Sequence, residues 1–174
     1  MLETRTGTFS TSDAGKIGGY AAVYNAPSSP LVVPGINKGR AFTERVAPSA
    51  FERSLGSNVH LLVGHDRREL LATTKSGLLQ LRSDDRGLAF EVDLPDTQRA
   101  RDVRAMVEAG IYREMSFGFY VRKDAWEGSE RTLLDVDLRE VSIVTDGAYP
   151  QTTAEARNHD RALARLRLRL RSQT

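Results

Sequence analysis

The chain has 174 residues, 40% of them apolar, and a formal net charge of +2. That length carries one domain with a proper core, and the near-neutral balance gives no argument for nucleic acid as a partner of the body. The absence of cysteine excludes disulfides, thiolate zinc sites and cysteine nucleophiles, and fits a reducing compartment.

No apolar run approaches the ~20 residues of a membrane span, and "MLETRTGTFSTSD" lacks the apolar core of a signal peptide. A soluble intracellular protein is expected. In chain order, "IGGYAAVYN" (17–25) reads as a strand. "APSSPLVVPGINKGRA" (26–41), rich in Pro, Gly and Ser, reads as a loop. "FTERVAP" (42–48) predicts a short strand, and "APSAFERSL" (47–55) a short helix with Pro48 in its first turn. "NVHLLVGHD" (58–66) predicts a strand that ends at Gly64. "GLLQLRSDDRGLAFEVDL" (77–94) is a hairpin: Leu79 and Leu81 alternate inward, "DDRG" turns, and Leu88, Phe90 and Val92 alternate back.

"DTQRARDVRAMVEAG" (96–110) predicts a helix capped by Asp96 or Thr97. Ala100, Val103, Met106 and Val107 form its apolar stripe, and Gly110 sits where a terminal glycine belongs. "MSFGF" (115–119) follows as a strand, "WEGSER" (126–131) as a turn, and "TLLDVDLREVSIVTD" (132–146) as a long returning strand. About seven strands and one or two helices give a β-rich α+β protein, a single barrel-like curled sheet with packed helices. Residues 1–154 form the body. Residues 155–174 differ, holding six arginines with alternating leucine. There Leu163, Leu166 and Leu170 share a helix face, which suits a basic tail or helix docked on an acidic partner.

Within "YREMSFGFYV", Met115, Phe117 and Phe119 alternate as the core face of a strand, leaving Ser116, Gly118 and Tyr120 on the other. Serine and glycine bury little in a strand and leave its backbone approachable. A small hydroxyl on such an open floor is a candidate nucleophile. It needs a base to take its proton, and histidine suits that work near neutral pH. Of the three histidines, His159 lies in the tail and His60 inside a strand. His65 follows Gly64 at a strand end, where a side chain can project over a neighbouring strand.

A base of this kind needs a third group to fix its tautomer. Asp66, Asp137 and Glu140 are the acidic candidates. Asp66 is adjacent in sequence to His65. Glu140 shares a strand face with Leu138 and Ser142, and a carboxylate among Leu138, Val141 and Ile143 is costly to bury without a partner. Glu140 is therefore the preferred third member and Asp137 the fallback. No HExxH motif, Walker loop or paired-glycine nucleotide fingerprint is present. No metal and no cofactor are expected.

The pieces "GYAAVYN", "ERVAPSAFERSL", "LLVGHD", "DDRGLAFEVDLPDT", "MVEAGIYREMSFGFYV" and "LREVSIVTDGAYPQT" occur in that order from about Gly19 to Thr153. Together they resemble the prohead (capsid maturation) proteases of tailed bacteriophages, the HK97-type family, which is similar in fold to the herpesvirus assemblins. The resemblance implies a serine endopeptidase with Ser116 as nucleophile, His65 as base and Glu140 as third member. The herpesvirus relatives use a second histidine at that place and an arginine pair for the oxyanion. Neither stands in "LREVSIVTDGAYPQT", so a carboxylate would serve in one role and backbone N–H groups near Gly147 in the other.

The resemblance also implies a place inside the procapsid in the host bacterial cytoplasm. There the protein would cleave the scaffolding segment of the major capsid protein and then itself, with self-association in the shell. The alternative is a catalytically inactive assembly scaffold of the same fold. A nucleic-acid module built on the arginine tail has no stacking surface or basic groove in the body to support it.

Overall fold

The computed structural model describes residues 3–11 and 16–145. Nine strands lie there: β1 (Glu3–Thr11), β2 (Ile17–Val23), β3 (Thr43–Val46), β4 (His60–Val63), β5 (Asp66–Thr73), β6 (Leu79–Ser83), β7 (Gly87–Val92), β8 (Glu114–Glu127) and β9 (Glu130–Val144). They form a single sheet in the order β5-β4-β9-β8-β1-β2-β7-β6, with β3 joined to β9. The end strands β5 and β6 do not pair with each other. The protein is thus β-rich α+β, but among the described residues its sheet is open. The expected barrel-like closure is corrected, and about seven strands become nine. The tail at 155–174, His159 and Gly147 lie outside the described residues.

The β8–β9 hairpin is the spine. Its partners run from Glu114↔Val144 to Glu127↔Glu130, with Gly128 at φ 58° in the turn. On one face of this ribbon Met115, Phe117 and Phe119 meet Val141 and Ile143, all fully buried. Phe51 meets Phe117 edge-on at 5.3 Å, and Phe117 and Phe119 lie 5.2 Å apart. Each such side chain contributes roughly 1.5–3 kcal/mol through burial. The one α-helix among the described residues, α1 (Gln98–Glu108), adds Ala100, Val103 and Val107 to this core. Its cap is Thr97, whose hydroxyl oxygen accepts from the Ala100 amide at 3.1 Å, and Gly110 closes its end at φ 69°.

The outer edge of β9 is covered in two pieces, by β3 along Glu130–Leu133 and by β4 along Glu140–Ile143, both parallel to it. Segment 47–55 fills the gap. The Val136 amide donates to the Ala50 carbonyl at 3.0 Å. The Ser54 hydroxyl donates to the Val136 carbonyl at 2.8 Å and accepts from the Leu138 amide at 2.9 Å. The helix expected over 47–55 is therefore reduced to a short 3-10 turn, Glu52–Ser54. Its polar groups are spent on the edge of β9, so the sheet edge decides its conformation.

A buried ion pair holds the far end of the hairpin. Glu44 is 0% exposed and Arg131 4%. Their Oε2 and Nη1 lie 3.2 Å apart, and Arg131 Nε reaches Asp124 Oδ2 at 2.8 Å. Removing one partner of such a pair leaves a buried charge uncompensated, a loss of about 3–5 kcal/mol. Arg131→Met is expected to lower the free energy of unfolding by about that amount, read as a lower urea midpoint at unchanged slope. An unchanged midpoint would show that Glu44 is held by other groups.

Candidate active site

β4 and β5 are joined by two residues, Gly64 and His65, between the paired Val63 and Asp66. Both have positive φ, 59° and 61°, the signature of the tight hairpin turn whose twist matches its strands. Glycine is free to adopt that backbone. A histidine is strained there by on the order of 1 kcal/mol or more. The Gly64 amide donates to the Ile143 carbonyl at 2.9 Å, tying the turn to β9. This anchored turn carries the imidazole.

Below it the register brings the small residues of β8 against β9. Ser116 pairs with Ser142 and Gly118 with Glu140, so the pleat points all four to one face. Phe119 pairs with Leu138, which leaves Arg139 as an extra residue, a β-bulge. The bulge corrects one expectation. Leu138 and Glu140 do not share a face: Leu138 turns to the core with Phe119, while Glu140 stays with Ser142.

A second expectation also changes. The floor around Ser116 is not open. Ser116 is 2% exposed, Glu140 5% and Ser142 0%. Gly118 is small because the carboxyl of Glu140 lies on it: a Cβ at Gly118 would stand 2.3 Å from Glu140 Oε1.

His65 Nδ1 lies 2.7 Å from Glu140 Oε1. A carboxylate can only accept, so Nδ1 is the donor of this contact, which in the neutral imidazole makes Nε2 the acceptor. The imidazole is about one third exposed, while the carboxylate beneath it is buried. The second carboxylate oxygen, Oε2, accepts from the Ser142 hydroxyl. Among the described residues the Ser116 hydroxyl makes no hydrogen bond, while Glu140 takes those of His65 and Ser142. Resting sites often leave the contact of hydroxyl and base long and tighten it only around a substrate.

The other acidic candidates point elsewhere. Asp137 pairs with Tyr120 and lies 3.4 Å from Arg122 and 3.5 Å from Arg139. Asp66 accepts from the Arg68 amide at 2.9 Å within its own strand. His60 is the register partner of Glu140 on β4, within the sheet. What sequence reasoning missed is Ser142. The only signal for it was its alternation with Glu140 in "EVS".

The arrangement is a buried carboxylate orienting an imidazole at the mouth of a hydroxyl-lined floor, the layout that activates an oxygen nucleophile. Among the described residues no helix is long and apolar enough to cross a membrane. Comparison with protein-family models matches residues 1–165 to the family described as caudovirus prohead serine protease. Comparisons with curated proteins and with solved structures return no match.

Proposed function

The chain belongs to the caudovirus prohead serine protease family, and from that premise we propose that Ser116, His65 and Glu140 are its catalytic triad. Membership makes the protein a serine peptidase of capsid maturation, acting on a capsid protein in the prohead. The finer reading is an endopeptidase that removes the scaffolding segment of the major capsid protein and then cleaves itself, self-associated inside the procapsid. The observation that carries the residue assignment is the 2.7 Å contact of His65 Nδ1 with the buried Glu140 carboxylate, beside a strand whose next small residue is Ser116.

The chemistry follows from those groups. Ser116 Oγ attacks the scissile carbonyl carbon as His65 Nε2 takes its proton. The imidazolium so formed is stabilised by the Glu140 carboxylate at Nδ1, which itself stays ionised. Backbone N–H donors hold the oxyanion, in the proposal those near Gly147. As the intermediate collapses, His65 passes its proton to the leaving amine nitrogen and the C–N bond breaks. Water then attacks the acyl-Ser116 ester, gives a proton to His65 and releases the acid, and that proton returns to Ser116.

Glu140→Gln is expected to leave the fold intact and lower turnover by up to about 10⁴-fold, because an amide can hold the wrong tautomer. Asp137→Asn is expected to have a much smaller effect. Equal losses from the two, measured on one peptide substrate, would remove Glu140 from the triad.

The test of the function as a whole is co-expression with the major capsid protein of the same phage. Intact masses should show a capsid protein shortened at its N-terminus and fragments of this chain. Full-length masses for both in assembled shells would reject the endopeptidase reading.

A further inference from the structure

Ser142 has a feature its position does not require. It is 0% exposed in the middle of the sheet, paired with Ser116 on one side and with Leu62 of β4 on the other. Its backbone groups belong to the sheet ladders. An alanine would fill the same place without burying a hydroxyl, and burying a hydroxyl without a partner is unfavourable. The hydroxyl does have a partner. It donates its one proton to Glu140 Oε2, the oxygen that His65 leaves free.

We infer that Ser142 is a positioning residue of the active site, whose hydroxyl fixes the Glu140 carboxylate so that its other oxygen meets His65 Nδ1. The inference rests on the triad reading of Ser116, His65 and Glu140. Glu140 is 5% exposed, so water supplies little of the hydrogen bonding a carboxylate needs. The carboxyl lies against Gly118, where even a Cβ would stand 2.3 Å from Oε1, so one side is bounded by backbone. His65 holds Oε1 and Ser142 holds Oε2. Two donors on two oxygens, over a glycine floor, leave the carboxylate one orientation. Without Ser142 the carboxyl keeps the imidazole as its directional partner but can pivot about it, and the imidazole pivots with it.

Such a residue acts only through Glu140, and that sets the experiment. The rate of covalent labelling of Ser116 by a serine-reactive phosphonate is measured for four full-length chains: unaltered, Ser142→Ala, Glu140→Ala and the double variant. Ser142→Ala is expected to label roughly ten- to a hundred-fold more slowly, the weight of a hydrogen bond to a charged group, in a protein that stays folded at the assay temperature with a modestly lowered melting temperature. In the Glu140→Ala background the same substitution should change the rate less than about two-fold, because nothing is left to position. A second reading needs no activity. In the Ser116→Ala protein the low-field proton resonance of His65 Nδ1 should shift or broaden when Ser142→Ala is added.

An unaltered labelling rate in Ser142→Ala would overturn the inference. So would a loss that persists undiminished beside Glu140→Ala, or an unmoved Nδ1 resonance. If the unaltered chain is not labelled at Ser116 at all, the triad reading itself fails, an outcome distinct from the other three.

Discussion

Ser116→Ala is expected to abolish both capsid cleavage and self-cleavage while leaving the protein folded. Removing the nucleophile of a serine protease lowers turnover on the order of a million-fold, since the remaining groups have no atom to add to the carbonyl. The fold should tolerate the change. Ser116 is 2% exposed, and its hydroxyl makes no hydrogen bond among the described residues and is not one of their fully enclosed unpaired polar atoms, so alanine leaves no described partner unsatisfied. The melting temperature should hold or rise slightly. Accumulation of full-length chain beside uncleaved capsid protein is the expected intact-mass result. Specific cleavage at the normal site by the folded variant would place the nucleophile elsewhere.

The elements legible in the sequence were those where a local pattern agrees with the global fold. Hairpin β6–β7 carries its alternation on both arms and its turn residues between them, and the structure pairs Leu79 with Val92 and Ser83 with Leu88. Helix α1 carries its cap, stripe and terminal glycine within one window. Two strands were not legible. β5 begins "DRRE" because it is a sheet edge: its first residues are largely exposed, and only Leu71 and Ala72 are buried. β1, "ETRTGTFST", has no apolar alternation to read and is held in register between β8 and β2. Closure is likewise a property no strand pattern carries. It depends on whether the two end strands meet, and β5 and β6 do not.

The site divides in the same way. Residue types and spacing pointed to Ser116 and His65, and the cost of a buried carboxylate pointed to Glu140. Glu140 nonetheless has a different neighbour on its face from the one its own strand pattern suggests. A period of two puts Leu138 beside it, but one extra residue at Arg139 moves Leu138 to the opposite face. Bulges obey pairing with the partner strand and leave no mark in the strand's own alternation. Gly118 shows the reverse. Its smallness was visible and read as openness, whereas the space is taken by the Glu140 carboxyl. A small residue in a strand says that something comes close, and only the cross-strand register says what.

At His65 the proposed role as base and the backbone preference conflict, and replacing it separates them. His65→Gly is expected to be as inactive as Ser116→Ala, and the double variant no worse than either, because nucleophile and base act as a unit. Stability should respond differently. Glycine relieves the strain of a side chain held at φ 61°, a gain of about 1 kcal/mol. Glu140 loses its imidazole partner at Oε1, a loss of similar size for a buried hydrogen bond. The two offset, so the melting temperature should move little while turnover falls by about six orders of magnitude. His65→Ala loses the same hydrogen bond without relieving the backbone, so it should be equally inactive and measurably less stable than the glycine variant. His60→Ala serves as the control. His60 is the register neighbour of Glu140 on β4 but lies inside the sheet, away from the turn, and its loss should leave peptide hydrolysis within about ten-fold. If His60→Ala is folded and inactive while His65→Gly still cleaves, the base is His60 and the strained turn exists for another reason.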